Sequence, residues 1–396
     1  MRQSALQEHQ KQGIIKGNLT CKNFQLGQIK TEMSTAAATV FRRHDVGLLH
    51  LDIFVEEDEP SSGVMKLLKS LRPQWKPEDI GMKVFTEGIT NQLMCCYVGS
   101  RCDSGAVLVR IYGQKTELFV DRDREVEMFQ LLHEHGCGPQ IFCSFQNGIC
   151  YEFVQGITLD ESALRQPAVY RLIAAEMGRL HAIKSRMSSV PAPVLWTKIS
   201  RLLQLVKESL KDTSTQQRRA LLQEVPSVHI LSCEMEELKQ HLGHVDSLTV
   251  VCHNDLLTKN IIYNHNQGCV KFIDYEYADF NYQAYDIANH FNEFAGVMEV
   301  DYRLYPSWEL QKDWLFTYLE TFKRCTGLVD PVTEHEVQEL YIKVCKFSQA
   351  SHFNWGLWAI LQATYSTINF DFVKYATARF KRYFEQKGEN FGINLP

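Results

Sequence analysis

The sequence predicts an α+β chain of two lobes, a small β-rich lobe leading into a large helical one. Three observations carry this. Strand-like runs of β-branched and aromatic residues concentrate between residues 82 and 154. Apolar positions at helical spacing dominate after Gln155-Gly156. A single β-rich interruption, near 248–274, sits inside the helical half. At 396 residues and 45% hydrophobic side chains, the chain can bury a large core, enough for two or three domains or one bilobal molecule. A net charge of −5 gives no basic footprint for nucleic acid. No apolar run approaches the ~18 residues that span a bilayer. The opening stretch, MRQSALQEHQKQG, lacks the apolar centre of a signal peptide. Twelve cysteines are scattered without C-x-x-C pairs, a pattern of reduced thiols in a cytoplasmic protein rather than of a disulfide framework.

Taken in order, residues 1–60 read as a disordered or variable extension, polar and Gln-rich to about His44, with one candidate strand at 50–55. The β-rich lobe is expected over 61–155. Ser61-Ser62 caps a helix carrying Val64, Leu67, Leu68 and Leu71 on one face. Strands follow at 84–85, 93–98 and 106–112. The stretch 121–136 has capping Asp residues, apolar Val126, Phe129 and Leu132, and a terminal Gly, so it reads as a helix. Asn147-Gly148 between apolar runs signals a hairpin. The helical lobe, 156–396, opens with helices at 169–184 and 195–210, a polar insertion at 212–223, and a helix at 230–242. Three more helices are expected near 308–325, 333–358 and 370–384.

The β-rich interruption carries the chemistry. Val250 and Val251 end a strand that leads into His253-Asn254-Asp255, and Asn260 follows five residues after Asp255. Residues 261–263 and 270–273 read as a hairpin that ends at Asp274. H-x-D-x-x-x-x-N, a hairpin, then an Asp is the layout of a kinase catalytic loop followed by a metal-binding carboxylate. Asp255 would take the acceptor's hydroxyl proton, while Asn260 and Asp274 would hold Mg²⁺ on the phosphates of ATP. Asp and Asn are also ordinary turn formers. Three of them in register with two strands argue for chemistry over capping.

The continuation IDYEYADFNYQAYDIANHFNE, with HNDLLTKNIIY before it, closely resembles the signature of the choline/ethanolamine kinase family, whose fold is a variant of the protein-kinase fold. The resemblance runs from about Trp75 to near Phe384. It implies a bilobal protein-kinase-like fold and ATP-dependent phosphorylation of ethanolamine in the synthesis of phosphatidylethanolamine. Gly88, Thr90 and Asn91 would belong to the loop over the nucleotide phosphates, although a lone glycine there otherwise reads as a hairpin turn. Arg110 falls where protein kinases carry the phosphate-contacting Lys, with Glu125 as its helix partner; a solvated surface pair is the plain alternative. Glu152 and Val154 match the backbone contacts to adenine, and Glu276 a further metal-associated carboxylate. Asp286 and His290 read as braces beneath the loop. Trp355, Trp358, Phe370 and Tyr375 match positions lining the amino-alcohol pocket, where aromatic faces attract an alkylammonium. By residue type alone they would be core. Glu293 matches a carboxylate near the ammonium, and Leu257 stands where choline kinases tend to carry Gln. The resemblance also implies a homodimer, for which no self-complementary patch is legible. The rivals are a choline or aminoglycoside kinase on the same scaffold, and a kinase-shaped binding protein without activity.

Overall fold

The computed structural model describes residues 47–85, 91–99, 105–113, 116, 120–186, 189–211, 223–366 and 368–393. Gly88 and Thr90, the insertion at 212–222 and residues 1–46 of the expected extension lie outside these.

Among the described residues the first lobe is a six-stranded sheet of order β1-β5-β6-β4-β3-β2. Its strands are β1 (His50–Leu51), β2 (Ile80–Phe85), β3 (Asn91–Val98), β4 (Val107–Tyr112), β5 (Ile141–Phe145) and β6 (Gly148–Glu152). Side-chain alternation decides what each face does. On β4, Val107, Val109 and Ile111 join Met94 and Cys96 of β3 beneath α1 (Pro60–Leu71), which contributes Val64, Leu67 and Leu68. Leu108 points the other way, toward the Phe129 side of α2 (Arg122–Glu134). Arg110, in register with Leu108, therefore points to that side too.

Two local expectations change. The first helix begins at Pro60 with Glu59 in the cap position and no side-chain cap, so Ser61 and Ser62 fall inside it. Proline at the first helical position is pre-set in φ and has no N–H to leave unpaired. The second change is at Asn147-Gly148: the expected hairpin forms, with its turn one residue earlier. Gln146 and Asn147 make the turn, and Gly148 is already in β6. A Cβ at Gly148 would lie 2.1 Å from the Arg110 carbonyl oxygen, so close approach of strands demands the glycine. Asn147 instead ties down the incoming chain, accepting from the Val55 N–H (3.0 Å) and donating to the Val55 carbonyl (2.8 Å).

The second lobe contains α3 (Pro167–His181), α4 (Leu195–Ser209), α5 (Val228–Leu242), α6 (Gln283–Glu293), α7 (Trp308–Thr326), α8 (Glu334–Tyr365) and α9 (Phe372–Gly392). A capping box of Thr333 and Glu336 starts α8. That helix is buried on all sides from Phe347 to Leu361 except at Asn354, the pattern of a central core helix. It runs seven residues past the expected end at Trp358, because Ala359, Ile360, Leu361 and Gln362 are buried too. Two small sheets sit at the junction: β10 (Cys269–Phe272), β9 (Ile261–Asn264) and β7 (Ile157–Thr158) in one, β11 (Asp279–Tyr282) and β8 (Thr249–Cys252) in the other. Strands β7 and β11 were not anticipated. The first has two residues, and the second, Asp-Phe-Asn-Tyr, is too polar to read as a buried strand.

Candidate active site

The register of the β9–β10 hairpin assembles the site. Phe272 pairs with Ile261, and the Ile273 N–H donates to the Asn260 carbonyl at 3.0 Å. Asp274 therefore emerges beside Asn260. The Asn260 side chain turns back on its own loop, donating to the Asp255 carbonyl at 2.8 Å and lying 3.4 Å from Asp255 Oδ2. Asp255, Asn260 and Asp274 thus share one corner of the junction between the lobes.

Asp286, fully buried on α6, holds the loop from beneath. Its carboxylate accepts from the His253 N–H (2.8 Å) and the Asn254 N–H (2.7 Å), and lies 3.0 Å from His181 Nε2. Burial pushes this acid up, but His181 and the other donors hold it below the usual carboxylate range. His253 Nε2 lies 2.9 Å from the Ile273 carbonyl and so carries the proton, which leaves Nδ1 to accept from the Asp255 N–H at 3.3 Å. Burial lowers the pKa of His253 and brings His290 down to about 4. Both are neutral. His290 Nδ1 sits 3.0 Å from the Leu256 carbonyl, a second brace.

Across the junction, Arg110 is buried and reaches Glu125 (3.0 Å), Glu276 (2.6 Å) and Asp274 (2.9 Å). The contact with Asp274 is close without the geometry of a hydrogen bond, and Asp274 Oδ1 is buried with no hydrogen-bond partner. Glu276 also accepts from Asn91 (3.0 Å) and pairs with Arg122 (3.3 Å). Arg122 was not foreseen. It begins α2, where a cation opposes the helix dipole, and is held by Glu125 (2.9 Å), Asn91 (3.2 Å), Thr116 (2.7 Å) and the face of Tyr112. Its position one turn before Glu125 was the available signal.

The electrostatics mark a place for a cation. Asp255, Asp274, Glu276, Glu125 and Glu293 act on one another, with Arg110, Arg122 and Arg379 opposing them among the described residues. Burial, with Asp274, Glu293 and Glu276 adding to it, pushes Asp255 well up. Burial likewise raises Asp274 to about 6, despite Arg110. Oxygen donors, surplus negative charge and an unsatisfied Asp274 oxygen fit a hard divalent ion such as Mg²⁺.

An aromatic cluster lies beyond Asp255. Trp355 meets Trp358 edge-on at 5.4 Å and Tyr277 at 5.7 Å, and donates from Nε1 to Asn289 at 2.7 Å. Asn289 in turn donates to the Asn254 carbonyl at 3.2 Å, tying the cluster to the loop. Trp358 donates to the Tyr277 hydroxyl at 3.1 Å and packs on Phe372, while Phe370 bridges Phe372 and Tyr375 at 4.7 and 5.8 Å. Tyr277 and Phe372 were missed. Glu293 is buried and bonded to Arg379, which also holds the Tyr375 hydroxyl. Leu257 is half-buried on the loop after Asp255. Glu152 projects an exposed side chain that accepts from the Gln140 N–H at 3.1 Å, and Val154 is half-buried just beyond β6.

Comparison with known proteins places the chain in a family. The sequence profile of the family described as choline/ethanolamine kinase matches residues 82–384. The chain is 50% identical to mouse ethanolamine kinase 1 over 349 residues, 87% of this chain and 95% of that one. It is 49% identical to human ethanolamine kinase 2 over 347 residues, 88% and 86% of the two chains. Among solved structures, Plasmodium vivax ethanolamine kinase superposes with a TM-score of 0.69 at 27% identity, covering 83% of this chain and 95% of that one. Choline kinase from Cryptosporidium parvum gives 0.68 at 26%, covering 82% and 95%. The fold is protein-kinase-like, and with the profile spanning most of both lobes, the chain belongs to the choline/ethanolamine kinase family.

Proposed function

We propose that this chain phosphorylates the hydroxyl of ethanolamine with ATP, giving phosphoethanolamine and ADP for phospholipid synthesis. The observation that carries the reading is the meeting of Asp255, Asn260 and Asp274 with an aromatic cluster tied to the same loop through Asn289. Asp255 accepts the hydroxyl proton as the oxygen attacks the γ-phosphorus and the bond to ADP breaks. Asn260 and Asp274, with Glu276 beside them, would hold Mg²⁺, which when bound offsets charge on the phosphate oxygens. Arg110, oriented by Glu125, contacts phosphate. Gly88, Thr90 and Asn91 are assigned to the phosphates, and the backbone of Glu152 and Val154 to adenine. Trp355, Trp358, Phe370 and Tyr375 enclose the ammonium end, with Glu293 at its edge. The relatives' names support ethanolamine over choline. An aminoglycoside, a broad polycation, would call for an open acidic surface instead of buried aromatic rings. Among the described residues no helix is long and apolar enough to cross a membrane; a cytoplasmic enzyme, acting as a homodimer, completes the reading.

The test is ADP release over ethanolamine, its N-methylated series, choline and an aminoglycoside. Ethanolamine should give the highest kcat/KM. Equal or better use of choline overturns the substrate assignment, and no turnover of any amino alcohol overturns the reaction.

A further inference from the structure

Glu293 is placed where a carboxylate is opposed twice. It is 5% exposed, and it is the last residue of α6, at the negative end of the helix dipole. Arg379, 2% exposed on α9, offsets both by bonding Glu293 Oε1 through Nη2. The same guanidinium donates from Nε (2.9 Å) and Nη2 (2.7 Å) to the hydroxyl of Tyr375, one turn earlier on α9. Its Nη1 lies 3.4 Å from His352 Nδ1. Two N–H groups occupy the lone pairs of the Tyr375 oxygen. The carboxylate, the guanidinium and the phenol form one buried unit joining α6 to α9.

We infer that Arg379 is a positioning residue that sets selection among amino alcohols. It holds Glu293 and Tyr375 fixed and cancels the carboxylate's charge, so the pocket ranks cations by hydrogen bonds rather than by net attraction. The inference rests on the amino-alcohol reading above. The pair Arg379–Glu293 is neutral overall, so the pull it exerts on every cation alike is small. Direction is what remains. A carboxylate held by one oxygen keeps the other in one orientation, and a primary ammonium has N–H groups to meet it. A trimethylammonium has none.

Arg379→Lys tests this, because lysine keeps the charge but cannot fork between Glu293 and Tyr375. KM for ethanolamine should rise roughly tenfold, the worth of one misplaced bond to a charged group, with kcat nearly kept, as expected when ground and transition states lose the same contact. KM for choline and for ATP should stay near their wild-type values. In a Glu293→Gln background the Arg379 change should add nothing further to the ethanolamine-to-choline ratio. Equal losses with both substrates would mark Arg379 as purely structural and overturn the inference, as would an unchanged ethanolamine KM. Should Arg379→Lys fail to fold, Tyr375→Phe carries the same test. It keeps the ion pair, removes the second acceptor, and should shift the ratio in the same direction by less. A wild-type protein that turns over neither substrate sinks the amino-alcohol reading and this inference with it; equal losses sink the inference alone.

Discussion

Asp274 holds a backbone angle, φ 66°, that L residues other than Asn and Asp rarely adopt. Its side chain is strained electrostatically as well. Burial lifts it to about 6 against the pull of Arg110. Between the ordinary carboxylate range and that value, the folded chain keeps a proton that the unfolded chain has released. Stability therefore falls as pH rises through the window and stays lower above it. Asparagine tolerates the same φ and carries no charge. In chelator-treated buffer, Asp274→Asn should melt above the wild type at about pH 8, with the gap closing toward about pH 4, where both side chains are neutral. Its turnover should be lost, or its Mg²⁺ requirement raised steeply. A lower melting point at about pH 8 would contradict this account of the strain. Asp255→Ala should lower turnover by roughly 10²–10⁴-fold, the usual loss for a positioned base, while ATP still binds; near-wild-type turnover removes Asp255 from the chemistry. These residues were legible because about twenty positions and one hairpin connect them. Arg379 was not, since Glu293, which explains it, lies 86 residues away, and for Arg122 only the pairing with Glu125 was within local reach, Glu276 lying 154 residues on.

Elements were read best where one period dominates. Helices α2 to α5 and α7 announced themselves through spacing and caps, such as Asp121, whose carboxylate accepts from the N–H groups of Asp123 and Arg124. Elements defined by contact were less visible. Strand β11 exists because its backbone pairs with β8, Phe280 against Val251, and no periodicity in four residues could report that. The hairpin of β5 and β6 shows the same limit. Asn-Gly implied a turn glycine, whereas Gly148 is required by the Arg110 carbonyl passing beside it. This difference has a measurable consequence. A turn glycine in the left-handed region replaced by Ala costs roughly 1 kcal/mol, the steric cost of a Cβ there. At Gly148 the added methyl meets backbone at 2.1 Å and the Phe145 ring at 2.3 Å, so β4 must move. Gly148→Ala should therefore cost several times more, about 3 kcal/mol or beyond, in the range of overpacked cores. Because Arg110 rides on β4, ATP KM should rise together with the loss of stability. A mild, purely thermal effect would return Gly148 to an ordinary turn role.

The two lobes share one apolar core, in which Leu108, Phe129 and Ile149 of the first lie with Phe272 and Tyr275 of the second, and polar contacts tie them across it. Glu276, from the helical lobe, accepts from Arg110, Arg122 and Asn91 of the β-rich lobe. Arg124 pairs with Asp279 at 2.7 Å, Lys271 donates to the Gly136 carbonyl at 2.7 Å, and the Tyr275 hydroxyl to that of Cys137 at 2.6 Å. Arg110 projects from the central strand β4, Asn91 and Asp279 open strands β3 and β11, Arg122 and Arg124 lie in the first turn of α2, and Gly136 lies just past its end. The sequence showed both lobes and the loop between them. It could not show which charges join them, because every partner comes from the opposite lobe. Among these contacts Glu276 is the least replaceable. It is 6% exposed, and losing its charge leaves the buried Arg110 and the half-buried Arg122 each short of a partner. Breaking a buried pair by removing one member costs about 3–5 kcal/mol, much of it from the charge left behind. Glu276→Gln keeps the size and hydrogen bonding of the side chain, so the loss should fall on the contact between lobes and not on either core. Native-state hydrogen exchange separates these cases. Amides at the contact, around Glu276 and in the first turn of α2, should lose protection strongly in the variant, while β3, β4 and the buried middle of α8 keep most of theirs. An equal fall of protection in both lobes would mean that Glu276 supports the molecule as a single unit, and the idea of two lobes joined by replaceable charges would have to be given up.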